Sequence, residues 1–227
     1  MPDRRLIDLS HEIEDGMVTY PGLLAPVISD WLSRESSRAK YAPGTTFQIG
    51  KIEMIANTGT YLDAPFHRVE NGQDLADLEL DALADLPGVV VRTTARSTRG
   101  IDAASFAGLD VRGKAILVHT GWDAHWRTPA YGTGHPFLTR DATEALVAGS
   151  AALVGIDSLN IDDTADGTRP AHSLLLGAGI PIVEHLTGLA ALPDAGFRFF
   201  AVPPKVKAMG SFPVRAFALL ELSAPAR

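Results

Sequence analysis

The feature that most restricts how this chain can fold is a set of short apolar runs, each closed by a polar residue or a turn. Ala115-Ile116-Leu117-Val118 is apolar without alternation and stops at His119, Thr120 and Gly121. A run of that length and composition reads as a strand covered on both faces. Val89-Val90-Val91, reset by Pro87-Gly88, and Ala152 to Ile156 repeat the theme. Between them, Thr139 to Gly149 reads as a helix, with Thr139 placed to cap it, Asp141 and Glu144 early and Gly149 to end it. Pro170 to Gly177 reads as one or two further helical turns. Ile180-Pro181-Ile182-Val183 is another buried strand, yet it ends in Glu184. A glutamate there is costly if buried and unpaired, so it stands at an exposed edge or is held by a metal or a cationic partner.

Other stretches give weaker signals. Leu6 to Ser10 is a short strand, and His11 beside it reads as a structural histidine. Residues 23–44 look irregular, with Trp31 and Tyr41 as the large anchors; a loop that long is often functional. Thr45 to Asn57 alternates, with a slip near Gly50-Lys51, as a half-buried strand with a bulge does. Leu75, Leu78, Leu80, Leu83 and Leu86 are spaced like a short helix packed on a sheet, and Ile101 to Phe106 and Leu186 to Leu192 also read as short helices. Phe197 to Val202 and Val214 to Leu222 are the last strands. His119, His125 and His135 read as structural or loop residues, and Asp157, Asp162 and Asp163 as capping and loop carboxylates. No repeat or linker divides the chain, so one domain over residues 1–227 is expected.

Chemistry concentrates in Asn57-Thr58-Gly59-Thr60-Tyr61-Leu62-Asp63-Ala64-Pro65-Phe66-His67. Gly59 permits a conformation that other residues resist, and Pro65 fixes the chain and removes a donor. Asp63 and His67 are four residues apart and share a face if the segment turns helically after Pro65. A carboxylate and an imidazole presented together suit metal binding or acid–base chemistry.

This stretch resembles the signature of the cyclase family that contains the bacterial kynurenine formamidases, His-x-Gly-Thr-His-x-Asp-x-Pro-x-His. The glycine, threonine, aspartate, proline and last histidine are in place; the first two histidines are replaced by Asn57 and Tyr61. Asp8-Leu9-Ser10 with Tyr20-Pro21-Gly22, the segment from Ala171-His172 to Glu184, and Pro213-Val214-Arg215-Ala216 extend the resemblance over nearly the whole chain. It implies an α/β fold, a swivelling β/β/α-type domain with a mixed sheet, in a homodimer or homotetramer with its site near a subunit contact. By the same resemblance, Asp63, His172 and Glu184 are metal ligands and His67 is the acid–base residue. Asn57 and Tyr61 stand where the family completes a second metal position. An amide oxygen is a weak ligand, and a phenol must first lose a proton with an ordinary pKa of about 10. One divalent metal, zinc or manganese, is therefore expected. Tyr61 is expected to donate to a developing oxyanion, and Asn57 and Trp31 to contact the substrate. The implied substrate is a small molecule, an aryl formamide or a related cyclic amide or lactone. Two other readings stand beside this one: a metal-free isomerase or dehydratase using His67 with Tyr61 or Glu184, and a ligand-binding relative without catalysis.

The absence of cysteine excludes disulfides, thiolate metal sites and a cysteine nucleophile. The net charge of −7 is diffuse and no basic stripe exists, which argues against nucleic acid or an anionic membrane as partner. Met1-Pro2-Asp3-Arg4-Arg5-Leu6 has no long apolar core of a leader, and no run approaches a membrane span. A cytoplasmic protein is expected.

Overall fold

The unbroken apolar runs form the middle of a mixed sheet. The computed structural model describes residues 3–222, so the first two and last five residues of the expected domain lie outside it. In chain order the strands are β1 (Asp3–Asp8), β2 (Val27–Leu32), β3 (Ile49–Glu53), β4 (Tyr61–Asp63), β5 (Leu86–Arg92), β6 (Gly100–Ile101), β7 (Ala115–His119), β8 (Phe137–Leu138), β9 (Leu153–Ile156), β10 (Ile182–Glu184), β11 (Ala195–Phe200), β12 (Ser211–Pro213) and β13 (Phe217–Leu222). The helices are α1 (Arg34–Ser37), α2 (Arg140–Ala148) and α3 (Pro170–Gly177).

Nine strands share one sheet in the order β1-β13-β11-β5-β7-β9-β10-β4-β12. The central β5, β7, β9 and β10 are parallel, and the flanking pairs are antiparallel. The sheet curls until its two edges approach. Chain leaving the β12 edge reaches β13 near the other edge within four residues, and on the way the Val214 amide donates to the Thr60 carbonyl. Leu9, just past β1, donates to Ala216 and accepts from Thr187.

Each central strand therefore has two covered faces. Leu117, Leu153 and Val183 point inward to a core that includes Leu9, Leu62, Phe197 and Phe199. Ile116, Val118, Val154 and Ile156 point outward under α2 and α3, against Leu146, Ala171 and Leu175. Burial on both sides is what removes the alternation from these sequences.

The structure corrects several expectations. Thr45 to Asn57 is not a half-buried strand of the sheet: among the described residues β3 pairs with β2 alone, in a ribbon whose β3 residues are all exposed. Residues 23–44 are not irregular, since they contain β2 and α1. Leu75, Leu83 and Leu86 enter the core, with Leu78 packed against it and Leu80 exposed, from a segment whose helical structure among the described residues is one short 3-10 turn, Leu80–Ala82. Asp74 organises that segment by accepting from the amides of Ala76, Asp77 and Ala208. Ala103–Phe106 and Leu189–Ala191 are likewise 3-10 turns. Thr139 precedes α2, but its hydroxyl has the Ile101 carbonyl and Asp141 Oδ1 as alternative acceptors for its one proton and accepts nothing from the helix. Among the described residues, no helix is long and apolar enough to cross a membrane.

Candidate active site

Strand β4 is only three residues long, yet it places the chemistry. It lies buried between β10 and β12, with Glu184 and Pro213 opposite Tyr61 and with Ile182 and Ser211 opposite Asp63. Directly opposed residues on neighbouring strands meet side chain to side chain. The Tyr61 hydroxyl accordingly donates to Glu184 Oε2 at 2.5 Å, and the Ser211 hydroxyl donates to Asp63 Oδ1.

The chain then turns at Pro65, whose fixed φ suits the first position of the 3-10 turn Pro65–His67. His67 comes back toward β12, and Gly210 makes room for it. A Cβ at Gly210 would stand 2.6 Å from the backbone N and Cα of His67. Ser211 Oγ lies 2.9 Å from His67 Nδ1. Its only proton is committed to an acceptor-only carboxylate, so the Nδ1–H of His67 donates to the hydroxyl oxygen. This network assigns the tautomer and leaves Nε2 of a neutral ring with its lone pair.

His172 enters from the first turn of α3. Asp162, fully buried, accepts from the amides of Ala171 at 2.6 Å and His172 at 3.1 Å, which satisfies donors at the start of the helix. The same carboxylate accepts from His172 Nδ1 at 2.7 Å. The opposite ring nitrogen, Nε2, is thus directed at Asp63 Oδ2 (3.6 Å) and Glu184 Oε1 (3.8 Å).

The electrostatics are unbalanced. Asp63, Asp162 and Glu184 are buried around one imidazole. With all three ionised, two negative charges remain in excess even if His172 is protonated. Burial pushes the Glu184 carboxyl up, and the neighbouring Asp63 charge adds to this against His172. Burial alone would lower His172, but Glu184, Asp162 and Asp63 outweigh it and raise the ring. Tyr61 is held well above its ordinary range by burial and by Glu184 and Asp63, so it remains a neutral donor.

Asp63 Oδ2 is buried and accepts no hydrogen bond among the described residues. A bare carboxylate oxygen in such a place is expensive. Ligand atoms about 2.1 Å from a shared tetrahedral ion stand roughly 3.4 Å apart. Asp63 Oδ2 and Glu184 Oε1 stand 3.6 Å and 3.8 Å from His172 Nε2, close to this spacing, and the excess of negative charge suits a cation. Asp63, His67 and His172 also offer ligand atoms within 4.8 Å of one another. The residues present therefore fit a metal, with Asp162 as the partner that orients the imidazole.

Asn57, Tyr61, His67, His172 and Glu184 all line one cleft of about 350 Å³. Asn57 Nδ2 lies 3.4 Å from Asp63 Oδ1. Two expectations need correction. Trp31 is not brought to the cleft within this chain: it stands on the β2–β3 ribbon, 78 % exposed, because that ribbon leaves the sheet. The Tyr61 proton is committed to Glu184 instead of being free for an oxyanion. Sequence reasoning did not single out Asp162 and Ser211 for the site. Of the other histidines, His11 stacks on Trp126 at 4.0 Å and His119 contacts Arg92.

A mixed, curled sheet with a buried aspartate–histidine–glutamate cluster at the end of its parallel strands defines an α/β protein with a candidate metal centre. The chain belongs to the cyclase family: the family model for putative cyclases matches residues 7–163. Kynurenine formamidase of Geobacillus thermodenitrificans (strain NG80-2) is 29% identical over 212 residues, covering 92% of this chain and 95% of the relative. Among solved structures, isatin hydrolase A of Labrenzia aggregata shares the fold, with a TM-score of 0.81 at 22% identity over 96% of this chain and 94% of its own. A predicted metal-dependent hydrolase of Bacillus stearothermophilus aligns with a TM-score of 0.74 at 26% identity, covering 96% and 98% respectively.

Proposed function

We propose that this protein is a metal-dependent hydrolase that cleaves a non-peptide C–N bond in an aryl formamide or cyclic amide. The observation that carries the reading is the bare, buried Asp63 Oδ2 facing His172 Nε2, behind the cleft that His67, His172 and Glu184 line. The relatives named kynurenine formamidase and the isatin hydrolase fold support the choice of bond. Asp63, His172 and Glu184 would hold one divalent ion, zinc or manganese, which supplies Lewis-acid polarisation of a carbonyl and lowers the pKa of water.

The chain's own residues do the rest. Water adds to the carbonyl carbon while His67 Nε2 takes one of its protons. His67 then returns that proton to the nitrogen as the C–N bond breaks, giving a carboxylic acid and an amine. Ser211 holds His67 in the tautomer that can accept this proton, and Tyr20 and Leu23 offer the aryl ring an apolar wall. The exposed Trp31, Ile49 and Ile52 of the ribbon support a homodimer or homotetramer.

Elemental analysis of protein purified without chelators tests the site, with Asp63→Ala as control. About one equivalent of divalent metal per chain, absent in the control, is expected, together with chelator-sensitive hydrolysis of formanilide. Metal-loaded protein inert toward aryl formamides, cyclic amides and lactones would sink the reading.

A further inference from the structure

We infer that Asn160 is the chain's hydrogen-bond donor to the oxygen that gains charge when water adds to the substrate carbonyl. The inference rests on the hydrolase reading above and adds a catalytic residue to it. Such an oxygen has to meet hydrogens aimed at the place where its charge develops. Most polar hydrogens in the cleft are already committed. Tyr61 gives its proton to Glu184, and Asn57 points its amide at Asp63 Oδ1. An oxyanion beside either donor would press against the carboxylate that the donor serves. His172 commits Nδ1–H to Asp162, and the Nδ1–H of His67 faces Ser211. Arg68 also lines the cleft, but it is exposed, and water weakens what its charge can do.

Asn160 belongs to a segment that already serves the cluster. It follows β9, and the next two residues both reach the site. The Ile161 amide donates to Glu184 Oε1 at 2.6 Å, and the Asp162 carboxylate orients His172. The side chain of Asn160 lines the cleft together with His67, His172 and Glu184. Its Oδ1 accepts from the Asp162 amide at 3.0 Å and from Arg169 Nη1 at 3.4 Å. Two donors on one atom settle which end of the amide is the oxygen. Nδ2 therefore points away from them, and it has no acceptor among the described residues. The residue is only 8 % exposed, yet Nδ2 is not sealed in, so its hydrogens open on the cleft.

The turn alone does not call for asparagine. An oxygen two residues before the Asp162 amide is enough, and aspartate or serine would supply one. What asparagine adds is the NH2 group. Arg169 strengthens it, because a guanidinium on the amide oxygen draws charge from the amide and makes Nδ2–H a better donor. The donor is also held in advance. His135 Nε2 lies 3.0 Å from the Asp162 carbonyl, and the Ile161 amide is tied to Glu184, so the segment need not reorganise as charge develops.

The test compares two ketones titrated into zinc-loaded protein. The carbonyl of 2,2,2-trifluoroacetophenone takes up water readily to give a tetrahedral centre, whereas acetophenone stays planar. The wild type should bind the trifluoro ketone tighter by about a hundredfold or more, as an analogue of the transition state. That preference should fall about ten- to hundredfold in Asn160→Ala and in Asn160→Asp, with acetophenone binding little changed. Asn160→Asp keeps an oxygen for the Asp162 amide and Arg169, so it separates loss of the donor from loss of the turn. With formanilide, both variants should lower kcat by about 10²–10³ and leave KM within about threefold. Equal affinities for the two ketones in the wild type, or a preference that survives both substitutions, would overturn the assignment. So would a fall in metal per chain in Asn160→Asp, since the residue would then be supporting the ion. Reaction and residue read separately. A ketone preference that is lost with Asn160 in a protein inert toward every amide defeats only the hydrolase reading, whereas hydrolysis with an unchanged kcat in both variants defeats only this inference.

Discussion

Asp162→Asn removes one negative charge and changes no heavy-atom count, yet it should damage the site from behind. Among the described residues, the three hydrogen bonds of the Asp162 carboxylate are all with donors: the Ala171 amide on Oδ1, and the His172 amide and Nδ1–H on Oδ2. A carboxylate satisfies them because it only accepts. An asparagine has one acceptor oxygen and one NH2 group. If the oxygen takes the Oδ1 position, the NH2 faces two N–H groups of His172. If it takes the Oδ2 position, the Ala171 amide is left facing a donor. Either orientation strands a buried polar group, at about 1–3 kcal/mol.

The first orientation also favours the His172 tautomer protonated on Nε2, the nitrogen aimed at Asp63 and Glu184. Loss of an orienting partner of this kind lowers metal affinity about 10- to 100-fold. Urea unfolding at pH 7 measures the first effect, and competition for zinc with a chromophoric chelator measures the second. An Asp162→Asn protein with wild-type stability and metal affinity within about twofold would refute the argument, because His172 would then be oriented by something else.

Three further outcomes follow from the same geometry. Tyr61→Phe deletes the one side-chain donor to Glu184 Oε2 among the described residues and should lower stability by about 1–3 kcal/mol in urea unfolding; an unchanged midpoint would mean the phenol bond is not made. Asn57→His with Tyr61→His restores the two histidines of the family signature, and elemental analysis should find metal per chain rising from about one to about two; no gain counts against the alignment of these positions. His11 is lowered from its ordinary 6.5 to about 4, chiefly by burial, with Asp123 opposing and Arg127 reinforcing the shift. The fold binds the neutral ring, so this stability is fully present above about pH 6.5 and is lost as pH falls toward 4. Between pH 7 and 4.5 the wild type should lose about 1–2 kcal/mol more than His11→Phe, a figure reduced for the partly exposed ring; parallel pH curves would contradict it.

The sequence made the covered strands legible because covering leaves a mark. Ala115 to Val118 and Leu153 to Ile156 are apolar at every position since both faces meet a core. The β2–β3 ribbon was misread for the opposite reason: its alternation records pairing between two exposed strands, not a buried face. The leucines from 75 to 86 have helical spacing, but Asp74 supplies the turn bonds that a helix would otherwise make. Of the site, Asp63, His172 and Glu184 could be named because their residue types and spacing follow the family signature. Asp162 could not be separated from Asp163 by type; the turn after β9 buries the first and leaves the second to pair with Arg99. Ser211 carries no signal at all, because its role arises only from its register opposite Asp63.

Replacing the two signature histidines does not simply leave a hole. A histidine that binds a metal offers a lone pair, whereas Asn57 and Tyr61 offer hydrogens. The Asn57 amide approaches Asp63 Oδ1 and the Tyr61 hydroxyl bonds Glu184 Oε2. Ser211 adds a donor to the same Asp63 oxygen, and the Ile161 amide adds one to Glu184 Oε1. The donors to Asp63 thus gather on Oδ1, and Oδ2, facing His172, has none. A cation on the Asn57–Tyr61 side would meet hydrogens already aimed at the carboxylates. On the His172 side it would meet the bare oxygen, an imidazole nitrogen and the remaining lone pairs of Glu184. The substitutions therefore divide the cluster into a hydrogen-bonded half and a cation-seeking half, which favours one metal over two.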